Sequence, residues 1–362
     1  YELLTLATYP LVAHRGTPEA LRGARIYLTY TLGGGMLVLI GTVWLHVLAG
    51  PTAFVEGGVL SQLPAEYHPQ LQAIFLLLII GLGVKAALVP LHGWLPQAMV
   101  APAPVSALLH AVAVVKAGAF GIVRVVYDVY GVNFTDQLGL LTGLGIAAAV
   151  TIVYGSVKAL SQDNLKKRLA YSTVSQVSYI ALGIAILGPL GTIGGIVHLV
   201  HQGIMKITLF FTAGNYAETL GIHKVSEMNG VGRRMPATTL AFSIAALGMI
   251  GVPPVAGFVS KWYLGLGSVE AGMAAWIMPV LITSSVLNAA YFLPVLYRAW
   301  FREPGPAWPA EHIPAARLET SAALLWPPVV TATLALAAGL FAAAPYSPLE
   351  WATLIAYREY GL

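Results

Sequence analysis

The sequence predicts an all-α protein that crosses a membrane about ten times, and three observations support this prediction. The chain has 362 residues, of which 57% are hydrophobic and 9% are charged, whereas soluble domains carry about 25% charged residues. Its mean hydropathy is +0.76. The apolar residues form unbroken runs of about 20, the length that an α-helix needs to cross a bilayer, while the strands of membrane barrels alternate in polarity.

The same composition excludes several classes of protein. So few charges cannot solvate a soluble enzyme or a nucleic-acid-binding surface of this size, and the formal net charge of +4 is dispersed along the chain. The chain has no cysteine, which excludes disulfide scaffolds, thiolate zinc sites and cysteine-ligated iron–sulfur clusters. We expect no nucleic-acid partner, no metal ion, no cofactor and no catalytic residue in this chain.

One partial span and nine complete spans follow one another along the chain. The partial span covers residues 1–13, and Glu2 lies about twelve residues, or roughly 18 Å of helix, from the next loop. We therefore expect the sequence to begin inside a helix and to lack spans that precede it. The complete spans, each an apolar run of membrane-crossing length, are expected at 25–49, 71–100, 103–127, 135–160, 170–188, 191–217, 236–267, 273–300 and 320–345.

The loops between these spans predict the orientation of the chain. Lysine and arginine outnumber acidic residues in loops 14–25, 158–169 and 218–235. The alternate loops hold acidic residues, namely Glu56, Glu66, Asp128, Asp136 and Glu270. Because basic loops stay in the cytoplasm, the first set of loops is predicted to be cytoplasmic and the second external.

Some charges nevertheless fall inside predicted spans. They are Glu2, Lys85, Lys116, Lys206 and Lys261, and three histidines join them, namely His110, His198 and His201. Each charge at a helix centre costs about 2.5–3.5 kcal/mol on insertion scales, so these groups must be paired, hydrated or partly neutral. Snorkelling to the headgroups is an alternative explanation, and it suits Lys116 better than the other lysines.

These residue types suit proton transfer. A lysine can lose its proton when it is buried and regain it beside a carboxylate, whereas arginine does not give up its proton. The histidines alone are weak indicators, since a buried histidine is commonly a packing residue. His198 and His201 lie one turn apart and could also be read as a haem or metal pair.

Two spans are predicted to be broken near a lysine. Pro90 follows Lys85 in the first span, and Pro253 and Pro254 precede Lys261 in the second. Proline lacks the N–H that a helix needs, and discontinuous helices at matching places in two halves are typical of ion paths in inverted-repeat transporters. Lys85 lies at the carbonyl end of its half-helix and Lys261 nearer an N-terminal end. We therefore expect Lys261 to release its proton more readily than Lys85.

The residues around these lysines resemble a known family. The stretches KAALVPLHGWLPQAM from Lys85 and APAPVSALLHAVAVVKAGAFGIVRV from Ala101 resemble the seventh and eighth helices of antiporter-like membrane subunits. Such subunits occur in respiratory complex I, membrane-bound hydrogenases and Mrp-type cation/proton antiporters, and the chain is most similar to the Mrp D type. Further matching stretches are YELLTLATY at 1–9, DNLKKRLAYSTVSQVSYIALG at 163–183, HLVHQGIMKITLFFTAGNYAET at 198–219 and GVGRRMPATTLAFSIAALGMIGVPPVAGFVSKWYL at 230–264.

The resemblance implies a domain organisation and roles for the buried residues. Residues 1–127 would be the remainder of a first inverted repeat (helices 5–8), 135–300 a second repeat of five helices (9–13), and 320–345 a final helix. Glu2 and Lys85 would form a glutamate–lysine pair. Lys116 with His110, and Lys206 with its neighbouring histidines, would form a relay, and Lys261 would be the exit lysine.

The leading interpretation is a proton-translocating subunit, with Na⁺/H⁺ exchange as a variant, in the cell (inner) membrane. Its partners would be other membrane subunits of an Mrp-type, hydrogenase-type or complex I-type assembly, and any electron transfer would belong to them. A quinone-binding subunit, with Trp94, Tyr154 and Trp262 as candidate lining residues, is one alternative. A stand-alone solute transporter with a dry cavity at the midplane is another.

Overall fold

The computed structural model describes residues 1–305, 307–311 and 318–362, which form sixteen α-helices. In chain order they are α1 (Glu2–Ala13), α2 (Pro18–Ala49), α3 (His68–Ala86), α4 (Trp94–Gln97), α5 (Ala103–Ala107), α6 (Val114–Arg124), α7 (Val132–Gln137), α8 (Leu140–Leu160), α9 (Leu165–Ala185), α10 (Pro189–Leu220), α11 (Val231–Arg234), α12 (Pro236–Ile250), α13 (Ala256–Glu270), α14 (Ala274–Phe301), α15 (Ala322–Leu340) and α16 (Pro348–Glu359).

Seven helical segments of the described chain are long and apolar enough to cross a membrane, and α1 and α12 are shorter apolar helices. The seven are Pro18–Ala49, Ala65–Val100, Ala103–Tyr130, Leu140–Leu160, Pro189–Leu220, Ala274–Phe301 and Ala322–Leu340. With α1, α9 and the broken α12–α13 span they account for the ten predicted crossings. Helix α9 is too polar to be counted among these seven segments. Nearly all of its residues are buried between neighbouring helices.

Both predicted breaks are present. Helix α3 ends at Ala86, after which Ala87 adopts a left-handed conformation with φ of 57°. Helix α12 ends at Ile250, where Gly251 has φ of 99°, and α13 begins only after Pro253 and Pro254. Pro90 lies in the loop that follows α3. The two discontinuous helices that the sequence predicts are therefore confirmed.

A third interruption was not predicted. Between α5 and α6 the chain forms a π-helical segment over Leu108–Val112, followed by Ala113 at φ −103° and ψ −79°. This segment carries His110. A π-turn displaces the residues that follow it relative to a regular α-helix, so it changes the direction in which α6 presents its side chains.

The edges of several other predicted spans were wrong, and the span predicted to begin at 25 begins at Pro18. The span predicted at 135–160 begins at Leu140, because Gly139 with φ of 71° separates it from the short helix α7. The span predicted to begin at 170 begins at Leu165, where the Asn164 side chain accepts a hydrogen bond from the Lys167 amide at 3.0 Å.

The loops gather on two faces as their charges predict. On one face the Leu165 amide donates to the His223 carbonyl, and Ser226 donates to the Asp163 carboxylate, which joins the two basic loops. On the other face the Val55 amide donates to the Asp128 carbonyl. The alternation of basic and acidic loops therefore corresponds to opposite ends of the helix bundle.

Helix α10 lies at the centre of the bundle and packs against α9, α12, α13 and α15. It also packs against α16, a short helix beyond the last predicted span. The apolar residues Leu349, Ala352 and Ala356 of α16 are buried against Ile193 and Val197 of α10. The sequence analysis missed α16 because a short amphipathic helix does not raise the hydropathy of the chain to that of a span.

Candidate functional site

Lys85 lies at the end of α3 and is fully buried. Its Nζ atom donates a hydrogen bond of 2.5 Å to the carbonyl of Tyr1 and lies 3.8 Å from the centre of the Tyr1 ring. The Tyr1 hydroxyl in turn donates to the Gly81 carbonyl at 2.8 Å, which fixes the ring against α3. The lysine is therefore held by groups outside its own helix, at the start of α1.

Glu2 lies beside this lysine without a direct ion pair, although its charge acts electrostatically on Lys85. Both carboxylate oxygens are enclosed and have no hydrogen-bond partner among the described residues. Helix α2 makes room for them, since a Cβ atom at Gly35 would overlap the Glu2 carboxylate. The structure thus brings the predicted glutamate and lysine together as neighbours but leaves the carboxylate unpaired.

The middle of the site lies between α6 and α10. His110 is fully buried, and its ring packs 4.6 Å from that of Phe210, while both of its ring nitrogens lack a hydrogen-bond partner in the described part of the chain. The Lys116 amine is also buried without a partner there. Its stem lies against Gly203 of α10, where Cε would be 3.8 Å from a Cβ atom at that position.

Lys206, on α10, continues the row of buried charged and imidazole groups that begins with Glu2 and Lys85. Its Nζ donates to the Leu169 carbonyl at 3.1 Å and to the Ser172 hydroxyl, both on α9. The charge of Lys116 acts on Lys206 and on His198. The buried amine of Lys116 shows that this lysine does not reach the surface as a snorkelling lysine would.

The two histidines of α10 are fully buried and have separate surroundings. His198 Nδ1 shares a hydrogen bond of 2.8 Å with the Ser260 hydroxyl, and its ring packs 5.2 Å from that of Tyr179. Neither ring nitrogen of His201 has a partner among the residues described. Within the part of the chain that the structure describes, no group of three His, Asp or Glu side chains is arranged to hold a metal ion.

Lys261 ends the row at the second break. Its Nζ donates to the carbonyls of Met249 and Ile250 at 3.0 and 2.8 Å and to the Ser285 hydroxyl at 3.1 Å. The expectation that this lysine lies near a positive helix end was wrong. Its side chain reaches back across the break to the carbonyl end of α12, where a cation is favoured.

The structure adds three polar residues that the sequence analysis did not single out. The side-chain amides of Gln176 and Gln202 and the hydroxyl of Tyr179 are buried without a hydrogen-bond partner in the described ranges. Tyr179 lies between His198 and Lys261, whose Nζ is 5.4 Å from the centre of its ring. The signal that could have found Gln176 and Tyr179 is the polar stretch STVSQVSY at 172–179, inside a helix that the pattern places in the membrane.

The three aromatic residues considered for a quinone pocket have different surroundings. Trp94 is fully buried and donates to the Val84 carbonyl at 2.7 Å. Tyr154 packs against His92, while Trp262 is 56% exposed beside Phe258. Trp94 and Trp262 thus serve as a packing residue and a surface residue.

The fold and the buried row together define a multi-pass helical membrane protein with a lysine-rich polar interior. A sequence model of the NADH:quinone oxidoreductase/Mrp antiporter transmembrane family matches residues 1–288. The chain belongs to this family.

Individual relatives and solved structures agree with this assignment. The chain is 38% identical to NADH-quinone oxidoreductase subunit N of Desulforudis audaxviator, over 94% of the chain and 68% of that protein. It is 28% identical to a subunit of the Na⁺/H⁺ antiporter of Bacillus subtilis, over 94% of the chain and 67% of that protein. A chain of the archaeal membrane-bound sulfane sulfur reductase superimposes with a TM-score of 0.85 at 27% identity, over 99% of this chain and 71% of that one. The chain spans between 40% and 68% of the length of the first few curated relatives that it matches.

Proposed function

We propose that this chain conducts protons along its buried row as one subunit of a larger membrane complex. The observation that carries the proposal is the row itself, in which charged and imidazole groups from separate helices lie inside the bundle with few or no direct partners among the described residues. In order, its members are Glu2, Lys85, His110, Lys116, Lys206, His201, His198 and Lys261.

The unpartnered polar atoms support a hydrated row. Buried polar groups in native proteins are nearly always hydrogen-bonded, to protein or to ordered water. Both oxygens of Glu2, both ring nitrogens of His110 and the Lys116 amine lack a protein partner within the described chain. Water molecules would satisfy these groups, and water beside lysine and histidine is a medium through which protons move.

The lysines supply sites at which a proton is held or released. Each is an ammonium group in a low-dielectric interior, where its charge depends strongly on neighbouring charges. Glu2 can stabilise the charged form of Lys85 when it is ionised, and Lys116 and Lys206 disfavour each other's charge. A change at one end of the row therefore alters proton affinity at the next site, so that neighbouring groups titrate as coupled sites.

The two breaks favour the organisation in two inverted repeats, over residues 1–127 and 135–300, with 320–345 as an added helix. Each half contains a span that is broken near a proline, with a lysine within reach of that break. In inverted-repeat transporters, the ion path runs between the repeats and passes the interrupted helix of each one. A lysine beside the interrupted helix in each half fits that arrangement.

The relatives support a setting for this activity. Their printed names include a quinone oxidoreductase subunit and an Na⁺/H⁺ antiporter subunit. We propose that the chain works beside other membrane subunits in the cell (inner) membrane, that it carries protons and exchanges them for Na⁺ if the complex is of the antiporter type, and that redox chemistry belongs to its partners.

Proton uptake into vesicles that contain the intact complex tests the proposal. Lys85→Ala should abolish transport and Lys261→Ala should lower it several-fold, because each removes a proton site from the row. Lys167→Ala is the matched control, since Lys167 lies on α9 but is exposed, and it should transport normally. Normal transport by an assembled Lys85→Ala complex would contradict the proposal.

A further inference from the structure

A cavity of about 370 Å³ lies between α6, α10 and α16, on the face of the bundle that carries the acidic loops. Its outer part is lined by charged residues, namely Glu56, Arg124, Asp128, Arg358 and Glu359. Asp128 pairs with Arg124 at 3.1 Å, and Glu56 pairs with Arg358 at 2.8 Å. Glu359 has an enclosed carboxylate oxygen, Oε2, without a hydrogen-bond partner among the described residues. The cavity therefore contains one more acid than base.

The cavity follows an antiparallel seam between α10 and α6, which is continued by a second π-helical segment over Val125–Tyr130. At the outer end of the seam the hydroxyls of Tyr127 and Thr192 share a hydrogen bond of 2.6 Å. At its inner end the stem of Lys116 lies against Gly203. The interval from Lys116 to Tyr127 contains the same number of residues as the interval from Thr192 to Gly203. Between these two contacts, Phe120 and Val123 from one segment and Ile196 and Leu199 from the other line the cavity.

The cavity-lining residue Phe120 follows Lys116 by four residues on α6, about one helical turn. The Lys116 amine is buried and has no partner in the part of the chain that the structure describes. Its helix leads to this face, where Phe120, Val123 and Arg124 line the cavity.

Helix α16 forms the outer wall of the cavity. The Tyr360 hydroxyl, just beyond α16, accepts from the Gly188 amide at 2.8 Å and lies 3.3 Å from the Thr192 hydroxyl. The Arg358–Glu56 pair ties the same helix to the loop that follows α2. These contacts hold the Glu359 carboxylate at the mouth of the seam.

We propose that this cavity is an outward release site for protons held by Lys116, additional to the route through Lys261. The Lys116 ammonium transfers its proton to water in the cavity and becomes a neutral amine. The Glu359 carboxylate receives the proton and passes it to bulk water, while Asp128 stays engaged with Arg124. This inference rests on the proposed function of the buried row. Transport by the Lys85→Ala and Lys261→Ala complexes tests that function separately.

Access to the cavity is tested by labelling single cysteines, in a full-length complex without other cysteines, from the external side. Leu199→Cys lines the cavity, whereas Val200→Cys is its neighbour at the same depth and does not. A membrane-impermeant cationic methanethiosulfonate should label Leu199→Cys and leave Val200→Cys unlabelled. The excess of negative charge should make the cationic reagent react about tenfold faster than an anionic one. Labelling of Leu199→Cys that is absent, or that occurs only from the cytoplasmic side, would overturn the proposal, and this result does not depend on transport.

Release through Glu359 is tested by transport. Glu359→Gln should lower the proton transport rate several-fold, while Glu350→Gln, an exposed position on the same helix, should leave it unchanged. Normal transport by Glu359→Gln would overturn the release role even if Leu199→Cys is labelled. If Lys85→Ala and Lys261→Ala complexes transport normally while Leu199→Cys is still labelled from outside, the cavity is open but the proposed row is at fault.

Discussion

At the first break the Lys85 amine reaches another helix, whereas at the second break the Lys261 amine returns to the helix end that precedes it. Both amines lie over a tyrosine ring, at 3.8 Å from Tyr1 and 5.4 Å from Tyr179. Lys85 has one carbonyl acceptor and a carboxylate nearby that makes no direct bond to it. Lys261 has two carbonyls and a hydroxyl as acceptors.

This difference suggests a division of roles between the two ends of the row. The environment of Lys85 changes with the protonation of Glu2, so this end can be switched by a charge. The acceptors of Lys261 are backbone carbonyls and a hydroxyl, which do not titrate, so its direct hydrogen-bond partners keep the same charge. The protonation of Lys85 would then respond to charge changes in neighbouring subunits. Lys261 would hold its proton among hydrogen-bond acceptors that do not change.

The largest difference between the breaks should appear when one polar group beside the lysine is removed at each. Glu2→Gln should lower proton transport by about tenfold to a hundredfold, because it deletes a proton-accepting group. Ser285→Ala should lower it by no more than about threefold, since the two carbonyls still hold Lys261. Equal losses in the two variants, measured in vesicles at matched amounts of complex, would remove the distinction.

The space that α2 leaves for the carboxylate offers a second comparison. Gly35→Ala places a methyl group where the Glu2 carboxylate lies, and it should lower transport several-fold by displacing that group. Gly33→Ala on the same helix meets no atom within 4 Å and is the matched control. If both variants transport at the normal rate, the position of Glu2 is not important for the first break.

At the second break a glycine substitution should act on stability. Gly251 has φ of 99°, a conformation that costs alanine about 1–2 kcal/mol. Gly251→Ala should therefore lower the thermal unfolding midpoint of the complex. Gly265→Ala, in the regular helix α13 with only an ordinary contact to Met278, should not lower it.

The smallest effects are expected from the tyrosine hydroxyls. Tyr1→Phe keeps the ring under Lys85 but loses the hydrogen bond to Gly81, which is worth about 1 kcal/mol. Tyr179→Phe keeps the ring near Lys261 and loses a hydroxyl that has no partner among the described residues. Transport rates should stay near normal in both variants, and only Tyr1→Phe should reduce thermal stability. A large transport loss in Tyr179→Phe would show that its hydroxyl carries protons.

Much of the fold and of the site could be predicted from the sequence, because the bilayer imposes strong constraints. Long apolar runs identify the spans, and proline beside a buried lysine identifies the breaks. The direction of Lys261 could not be predicted, since its flexible four-carbon stem can reach either side of a break. The π-helical segment around His110 has no proline or glycine to mark it. Gln202 is a lone amide in an apolar helix, and its role depends on neighbours that are distant in sequence.

Helix α9 combines a basic first turn with buried serine, threonine and glutamine side chains, and little of it faces lipid. Such a segment gains little free energy by entering a bilayer alone. It must therefore partition into the membrane together with α8 and α10, which cover its polar side chains during biosynthesis. The buried polar side chains of α9 thus make its insertion cooperative, and variants that weaken the α8–α9 contact should be recognised as unassembled by cellular quality control.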